Sequence, residues 1–350
     1  MGCLLIWQMS KRINQINRMK NILSIATAIL LCTAVKAQSA GQTAKTFIRE
    51  GDYTNAILVL NRAIQTDQNN IELKKDLAFA YYLQRDYPKA LSAIRPVVES
   101  NQSDPQSYQI IGMVYNALQD KKSSERSYRS GIRKFPNSGA LYNEYGELLW
   151  SGAAFTEASK QWLKGIQKDP NYSGNYYNVS KFYFMSADKV WALIYGEIFV
   201  NLESYSRRTP EIKNLLLEGY KKLFSETDMT KSQDNRNDFV KAYLDVMKRQ
   251  SKVVASGVTP DALAALRTRF LLDWFDKYSE KLPFRLFEYQ RQLARAGLFE
   301  AYNQWIFGAA NDLSAFQQWT VTHSEEYKRF TDFQRNRVFK LPEGQHYMGR

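Results

Sequence analysis

The chain has 350 residues, of which 44% are hydrophobic and 24% are charged, and its formal net charge is +13. These proportions are ordinary for a globular protein, so they exclude a largely disordered chain, and the length allows two domains. Both cysteines, Cys3 and Cys32, lie near the N-terminus. A Cys-His catalytic site and a disulfide framework are therefore excluded for the remainder of the chain.

Residues 1–37 have the composition of a targeting segment. A short basic stretch precedes a mostly apolar run of 14 residues, Ile22 to Val35, and the Val-Lys-Ala sequence ending at Ala37 has small residues where a signal peptidase reads them. We therefore expect cleavage between Ala37 and Gln38 and export to a bacterial periplasm or cell envelope. The residues before the basic stretch are then an upstream start or a long basic region. The alternative is an uncleaved leader that anchors the protein to a membrane.

Removal of this segment changes the charge of the chain. It contains five basic and no acidic residues, so the mature chain would carry 48 minus 5, or 43, basic residues against 35 acidic ones, a net charge of +8. It would also contain no cysteine, which suits an oxidising compartment.

Five stretches of the following sequence align at a spacing of 34 residues without insertion or deletion. Small residues recur in two series and bulky residues in a third: Ala44, Ala78, Gly112, Gly146 and Ser180; Ala56, Ala90, Ser124, Ala158 and Ala192; Phe47, Tyr81, Tyr115, Leu149 and Tyr183. Small residues allow two helices to cross closely, and bulky residues fill the space beside the crossing. A period of this length predicts stacked helical hairpins.

The pattern resembles the tetratricopeptide repeat, most completely in the third and fourth stretches. The third matches at Tyr108, Ile111, Gly112, Tyr115, Ser124, Tyr128, Gly131 and Pro136, and the fourth at Tyr142, Tyr145, Gly146, Leu149, Ala158, Trp162, Gly165 and Pro170. The resemblance implies an all-α fold, a right-handed α-solenoid of about five helical hairpins over residues 38–206. In the fifth stretch Gly196 stands where an aromatic residue is expected, and Phe199 stands where a small one is expected.

The sequence after residue 206 loses the 34-residue register but retains helical signals. Thr209 and Thr259 each precede a proline, which is typical of a helix start. We predict a C-terminal helical region over 207–341 and a flexible tail over 342–350.

One segment of this C-terminal region resembles part of the fourth repeat. Phe299–Gly308 matches Phe155–Gly165 with one residue deleted. A degenerate hairpin is therefore predicted near 284–308, and further helices could continue the solenoid.

Residues that could support catalysis are scarce. His323 and His346 are the two histidines of the chain; they form no zinc-ligand pair, and the sequence contains no glycine-rich phosphate loop. We therefore predict no enzyme activity, no metal and no cofactor.

Basic residues are frequent after residue 205: Arg207, Arg208, Lys248, Arg249, Arg285, Arg291, Arg295, Lys328, Arg329, Arg335 and Arg337. A solvated helix face explains most such clusters, and a functional reading is weak attraction to an anionic envelope surface. Nucleic acid is not expected as a partner of an exported protein.

The resemblance also implies where a partner would bind. In the family, the first helices of successive repeats line a concave groove that holds a peptide or a partner helix. The corresponding positions are Phe79, Tyr82, Gln109, Met113, Asn116, Asn143, Glu147, Trp150, Tyr177, Lys181 and Phe184. One subgroup clamps a C-terminal carboxylate with Lys and Asn, and this chain departs from that pattern at Phe79 and Met113. The mixture of amides and aromatic rings suits a peptide backbone and apolar side chains.

These observations favour a non-enzymatic protein-interaction scaffold in the bacterial envelope. One alternative is a helical domain that binds or processes a glycan or peptide at a site in the C-terminal half, near Trp274, Trp305 or Trp319. Another is an assembly component of an outer-membrane or secretion machine, which differs from the scaffold in its partner.

Overall fold

The computed structural model describes residues 40–186, 188–345 and 347, and within these ranges the chain forms helices and turns without a β-strand. It divides into two compact units, Met1–Gly131 and Ile132–Arg350. The predicted signal segment, with Ala37 and Gln38, lies outside the described residues, as does His346. In the parts that are described, no helix is both long and apolar enough to span a bilayer.

The first unit consists of consecutive helices that pack on their neighbours. They are α1 (40–50), α2 (Tyr53–Thr66), α3 (Ile71–Leu83), α4 (Tyr87–Glu99), α5 (Pro105–Ala117) and α6 (Lys121–Lys134), the last of which extends into the second unit. One hydrophobic cluster joins α1, α2 and α3, and the next joins α3, α4 and α5. Helix α3 therefore contributes to two successive clusters.

The second unit begins with the same arrangement and continues with further helices. They are α7 (Gly139–Ser151), α8 (Phe155–Lys168), α9 (Ser173–Met185), α10 (Lys189–Leu202), α11 (Thr209–Ser225), α12 (Asp238–Arg249), α13 (Pro260–Lys277), α14 (Arg285–Arg295), α15 (Phe299–Asn303), α16 (Ala309–Asn311), α17 (Leu313–Thr322) and α18 (Ser324–Arg335). A 3₁₀ turn, Ser251–Val254, follows α12, and a π-helical turn, Gln304–Gly308, joins α15 to α16. One hydrophobic cluster extends from Ala158 to Tyr347.

The 34-residue period reappears in the positions where helices begin. The first helices of the hairpins α3, α5, α7 and α9 start 34 residues apart, and so do the second helices α2, α4, α6, α8 and α10. The residues of both small series are buried, whereas those of the bulky series are half-buried beside the crossings. At Gly112 and Gly146 a methyl group would overlap the ring of Tyr128 or Trp162 on the facing helix. The predicted all-α fold of consecutive helical hairpins is confirmed.

The turns inside the first four hairpins are also periodic. Each contains one left-handed residue, with φ between 61° and 80°: Gly51, Arg85, Gln119 and Ala153. The next amide donates to a carbonyl five residues earlier, for example from Asp120 N to Tyr115 O at 2.9 Å. This 6→1 bond uses a carbonyl that the helix end would otherwise leave unpaired.

Helix α10 explains why the fifth repeat departs from the pattern. Its residues from Val190 to Asn201 are all buried, as expected for a helix that is apolar on every side. Gly196 lies against α11, where a methyl group would come within 3.0 Å of the Leu216 side chain. Phe199 packs against Tyr177 with ring centroids 5.3 Å apart. The helix therefore packs on repeat five and on the C-terminal helices at once.

A buried polar network lies inside this unit. Glu197 on α10 accepts hydrogen bonds from Arg267 on α13, from Gln290 Nε2 on α14 at 2.7 Å and from the Tyr302 hydroxyl on α15 at 2.8 Å. The relative exposures of Glu197 and Arg267 are 4% and 2%. Burial by itself would lower the pKa of Arg267. The Glu197 carboxylate and the neighbouring tyrosines outweigh this effect, so the pKa is raised. An adjacent cavity of about 10 Å³ has room for one water molecule.

The C-terminal segment turns between two helices at Gly297, and the degenerate repeat hairpin near 284–308 stays a prediction. Helix α14 ends in a turn at Gly297, with φ of 65°, and α15 with its π-helical turn returns along the core. The flexible tail predicted for 342–350 is wrong for two of its residues. The Tyr347 ring stacks on Phe239 at 4.7 Å, and Gln345 Oε1 accepts from Arg285 N at 2.6 Å. Burial of the aromatic ring outweighs the entropy of a terminus. The domain boundary at residue 206 stays a prediction.

Candidate functional site

In the first unit the predicted groove residues lie on α3 and α5 and are all half-buried: Phe79, Tyr82, Gln109, Met113 and Asn116. The rings of Phe79 and Tyr82 stack with centroids 6.3 Å apart, and Tyr82 also contacts Tyr87 at 5.9 Å. This face is therefore largely aromatic on α3.

In the second unit the groove residues of α7 differ from one another in exposure. Asn143 is 4% exposed, Glu147 is exposed and Trp150 is half-buried. The Trp150 ring packs edge-on against Phe155 at 4.6 Å and lies 5.7 Å from the Trp162 ring, both on α8. Trp150 thus contributes mainly to packing within its hairpin, whereas Glu147 presents a carboxylate to solvent.

Asn178 on α9 completes a polar cluster with Asn143 and Glu147. Asn143 Nδ2 donates to Glu147 Oε1 at 2.8 Å, and Asn178 Nδ2 donates to the same carboxylate oxygen at 3.0 Å and to Asn143 Oδ1 at 2.9 Å. Two amides from adjacent first helices therefore orient one exposed carboxylate. The sequence prediction missed Asn178 because the family's groove positions include its neighbour Tyr177 instead.

The two polar groove residues of α9 bind the chain's own helix α11. The Lys181 ammonium forms an ion pair with Glu211 at 2.7 Å, and the Tyr177 hydroxyl donates to the same carboxylate at 2.5 Å. Burial disfavours the charged forms, but these bonds outweigh it, so the pKa of Lys181 is raised and that of Glu211 is lowered. The Arg208 guanidinium lies 4.7 Å from the Tyr177 ring centroid.

Phe184, the last predicted groove residue, is contacted by two lysines. The Lys222 ammonium at the end of α11 lies 4.0 Å from its ring centroid, and that of Lys189 lies 5.5 Å away. The inner face of repeat five is therefore engaged by α11. Sequence reasoning missed Arg208, Glu211 and Lys222 because they lie outside the repeats.

The histidine and the tryptophans considered for a site in the C-terminal half contact neighbouring side chains. His323 is exposed, its ring stacks on Trp319 at 4.5 Å, and its Nδ1 is 2.9 Å from the Thr322 hydroxyl. Trp274 and Trp305 are 0% and 4% exposed and belong to the hydrophobic core. Among the described residues, no group of three or more histidines, cysteines or carboxylates could hold a metal ion.

Several basic residues of the C-terminal half are engaged by neighbours. Arg208 forms an ion pair with Glu203 at 2.6 Å. The guanidinium of Arg291 lies 3.6 Å from the Phe275 ring centroid, and that of Arg337 lies 4.5 Å from the Phe333 centroid. These basic groups therefore contact neighbouring side chains, whereas the sequence alone would assign them to a solvated helix face.

Comparison with known protein families agrees with this architecture. Residues 47–112 match the family model described as tetratricopeptide repeat. Residues 47–112 therefore carry tetratricopeptide repeats, and helical hairpins continue at the same 34-residue spacing as far as α10. Proteins of this class are protein-protein interaction scaffolds, and they bind protein or peptide partners. Comparison with curated protein sequences finds no match.

Solved structures with similar hairpins are distant in sequence. MamA is 18% identical, over 46% of this chain and 94% of MamA, with a TM-score of 0.37. TTC0263, a tetratricopeptide-repeat protein from Thermus thermophilus, is 14% identical over 53% of this chain and 98% of its own, with a TM-score of 0.43. YrrB, described as having an unusual peptide-binding site, is 14% identical over 50% of this chain and 90% of its own, with a TM-score of 0.34.

Proposed function

We propose that this protein is an exported, non-enzymatic scaffold that binds a peptide segment of a partner on the first helices of its repeats. The observation that carries the proposal is the cluster of Glu147, Asn143 and Asn178. Side-chain amides hold the Glu147 carboxylate in one orientation, and it remains exposed. Such a group can accept hydrogen bonds from a peptide backbone or a basic side chain at little further entropic cost.

The first unit has a candidate surface of its own, where the half-buried aromatic residues of α3 suit the apolar side chains of a peptide. Rings of this kind provide large contact area with few rotatable bonds. In the second unit, α11 engages Tyr177 and Lys181, so the accessible part of the first-helix surface there centres on Glu147.

A photoreactive residue at position 151 tests peptide binding. We expect Ser151→p-benzoylphenylalanine to crosslink a partner in native envelopes, because Ser151 is exposed one helical turn after Glu147 and its replacement keeps the Glu147 carboxylate. The matched control is the same replacement at Lys160, which is exposed on the second helix α8. Crosslinking of the same proteins from both positions, or of no protein other than this chain from position 151, would contradict the proposal. The identity of a crosslinked partner would also distinguish a general scaffold from a component of a secretion machine.

Export rests on the composition of residues 1–37. We expect the mass of the protein purified from a bacterial envelope fraction to correspond to a chain that begins at Gln38. A full-length mass in the membrane fraction would instead support the uncleaved anchor, and recovery from the cytoplasm alone would contradict export.

A further inference from the structure

A basic cavity lies beside Phe184, where repeat five meets the helices that follow it. Its volume is about 290 Å³, and it is formed by the start of α10, the end of α11 and the loop between α11 and α12. The residues around it are Lys189, Lys222, Glu226, Lys231, Ser232 and Gln233. Three lysines against one glutamate give this cavity, which we call the lysine pocket, an excess of positive charge.

The lysines have few anionic partners. The Lys189 ammonium donates to the carbonyl oxygen of Phe184 at 2.8 Å and to that of Ser186, which fixes its position. Burial and repulsion from Lys222 lower the pKa of Lys189, although Asp188 and Glu226 oppose the change. In the part of the chain that the structure describes, neither Lys222 nor Lys231 forms an ion pair with a carboxylate.

The wall of the pocket is fixed by hydrogen bonds from α10. Gln233 Oε1 accepts from Lys189 N at 2.8 Å and from Val190 N at 3.2 Å, which ties the loop to the start of the helix. These amides are therefore occupied, and an incoming anion would be bound by the ammonium groups of the lysine side chains. Ser232 adopts a φ of 63°, which turns the loop at this point.

The pocket adjoins Phe184, the last of the predicted groove residues on α9. Lys222 and Lys189 both lie against the ring of Phe184. A peptide side chain that contacts Phe184 would place a neighbouring carboxylate within reach of these ammonium groups. Lysine acts as a compact point charge with rotatable donors, so it accepts a carboxylate in several orientations.

We propose that the lysine pocket binds a carboxylate side chain of an acidic peptide that lies on Phe184. The proposal rests on the proposed peptide-binding function and adds the chemical class of the peptide. The volume of the pocket, about 290 Å³, is at the lower end of the range of about 300–1,000 Å³ that is typical of ligand sites, and it leaves room for a carboxylate side chain. We therefore expect the protein to prefer peptides in which an acidic residue stands next to an apolar or aromatic one.

Fluorescence anisotropy with a fluorescein-labelled hexaglutamate peptide tests this inference on the full-length protein at about 0.15 M ionic strength, where weak long-range attraction is screened. We expect the double variant K222Q/K231Q to bind the peptide about tenfold more weakly than the unmodified protein. The matched control K221Q/K241Q removes the same charge from exposed lysines paired with Glu218 and Asp238. We expect its affinity to stay within about twofold.

Several results would overturn the proposal. Equal weakening in both double variants would mean that net charge alone attracts the peptide. Saturable binding of inorganic phosphate at the pocket without binding of hexaglutamate would identify a small-anion site instead. Absence of hexaglutamate binding by a protein that still crosslinks a partner from position 151 would reject the acidic-peptide inference and leave the proposed function standing. Hexaglutamate binding without such a crosslink would support the lysine pocket and contradict the proposed function at Glu147.

Discussion

Four of the five hairpins have an Asp residue at the turn before the second helix. Asp52, Asp86, Asp120 and Asp188 begin the second helices at 34-residue spacing, and each side chain accepts a hydrogen bond from an amide three residues later. The fourth repeat has Ala154 at this position, without a side-chain cap. Capping by Asp is favourable because it pairs a helical amide that would otherwise have no partner.

Introducing the missing cap should stabilise the protein. We expect Ala154→Asp to raise the free energy of unfolding by about 0.5–1 kcal/mol, because its carboxylate would accept from the amide of the first turn of α8. Urea denaturation at neutral pH measures the change. The reciprocal variant Asp120→Ala should be destabilising. Stabilisation by neither Ala154→Asp nor Ala154→Asn would show that the turn geometry does not allow a cap.

Asp188 combines a cap with an unfavourable charge. Burial, followed by repulsion from Asp234, raises its pKa to about 6, although the amide of Trp191 donates to it. The folded state then binds a proton more tightly than the unfolded state, so the contribution of Asp188 to stability decreases as pH rises from about 4 to about 6.

Replacing Asp188 by Asn should therefore remove a pH-dependent penalty while retaining an acceptor for the cap. We expect Asp188→Asn to be more stable than the unmodified protein by about 1–2 kcal/mol at pH 7, after allowing for partial solvent exposure, and nearly equal to it at pH 4. Urea denaturation across this range measures the difference. A difference that is constant with pH would mean that Asp188 has an ordinary pKa in the folded protein.

Helix α10 connects the packing of repeat five to that of the C-terminal helices in the second unit. It serves as the second helix of repeat five, and it also carries Glu197 to the centre of the C-terminal helices. Lys213 on α11 reaches the π-helical turn, where its ammonium donates to the carbonyl of Trp305 at 2.6 Å. Bonds of this kind satisfy polar groups that would be costly to bury alone.

Breaking the buried ion pair should destabilise this part of the protein strongly. Arg267→Met would leave the Glu197 carboxylate buried without its cation, and we expect a loss of about 3–5 kcal/mol in the free energy of unfolding. The double variant Arg267→Met/Glu197→Gln should recover much of the loss, because the amide oxygen can still accept from Gln290 and Tyr302. Equal stability of the single and double variants would mean that water reaches the carboxylate.

The predicted net charge of the mature chain bears on how the whole molecule meets an envelope surface. Many of its basic side chains are paired with acids or stacked on rings, so the attraction to an anionic surface should be weak. We expect cosedimentation with phosphatidylglycerol vesicles at about 0.02 M salt and its loss at about 0.15 M, with neutral phosphatidylcholine vesicles as the control. Binding that persists at the higher salt would point to a specific lipid site.

The repeat architecture could be predicted because its signal is local and periodic. Gly146 and Trp162, for example, belong to adjacent helices, and Gly112 and Tyr128 form the same pair 34 residues earlier, so the complementarity is visible in one sequence. The groove itself stays a prediction, and Glu147, one of its predicted residues, is exposed. Asn178 was missed because it lies beside a family position. The left-handed residues Arg85, Gln119 and Ala153 were missed because glycine, which signals such a turn, occurs at only one of the four positions, Gly51.

The sequence by itself determined the helical hairpins, their 34-residue register and the small residues at which they cross. Only the tertiary structure decided that α11 engages the inner face of repeat five and that Lys222 lies on Phe184. It also decided that Glu197 meets Arg267, from which it is separated by 70 residues in the chain. The physical reason is that such contacts depend on how non-repeating helices pack, and a pair of side chains that meets once leaves no period in the sequence.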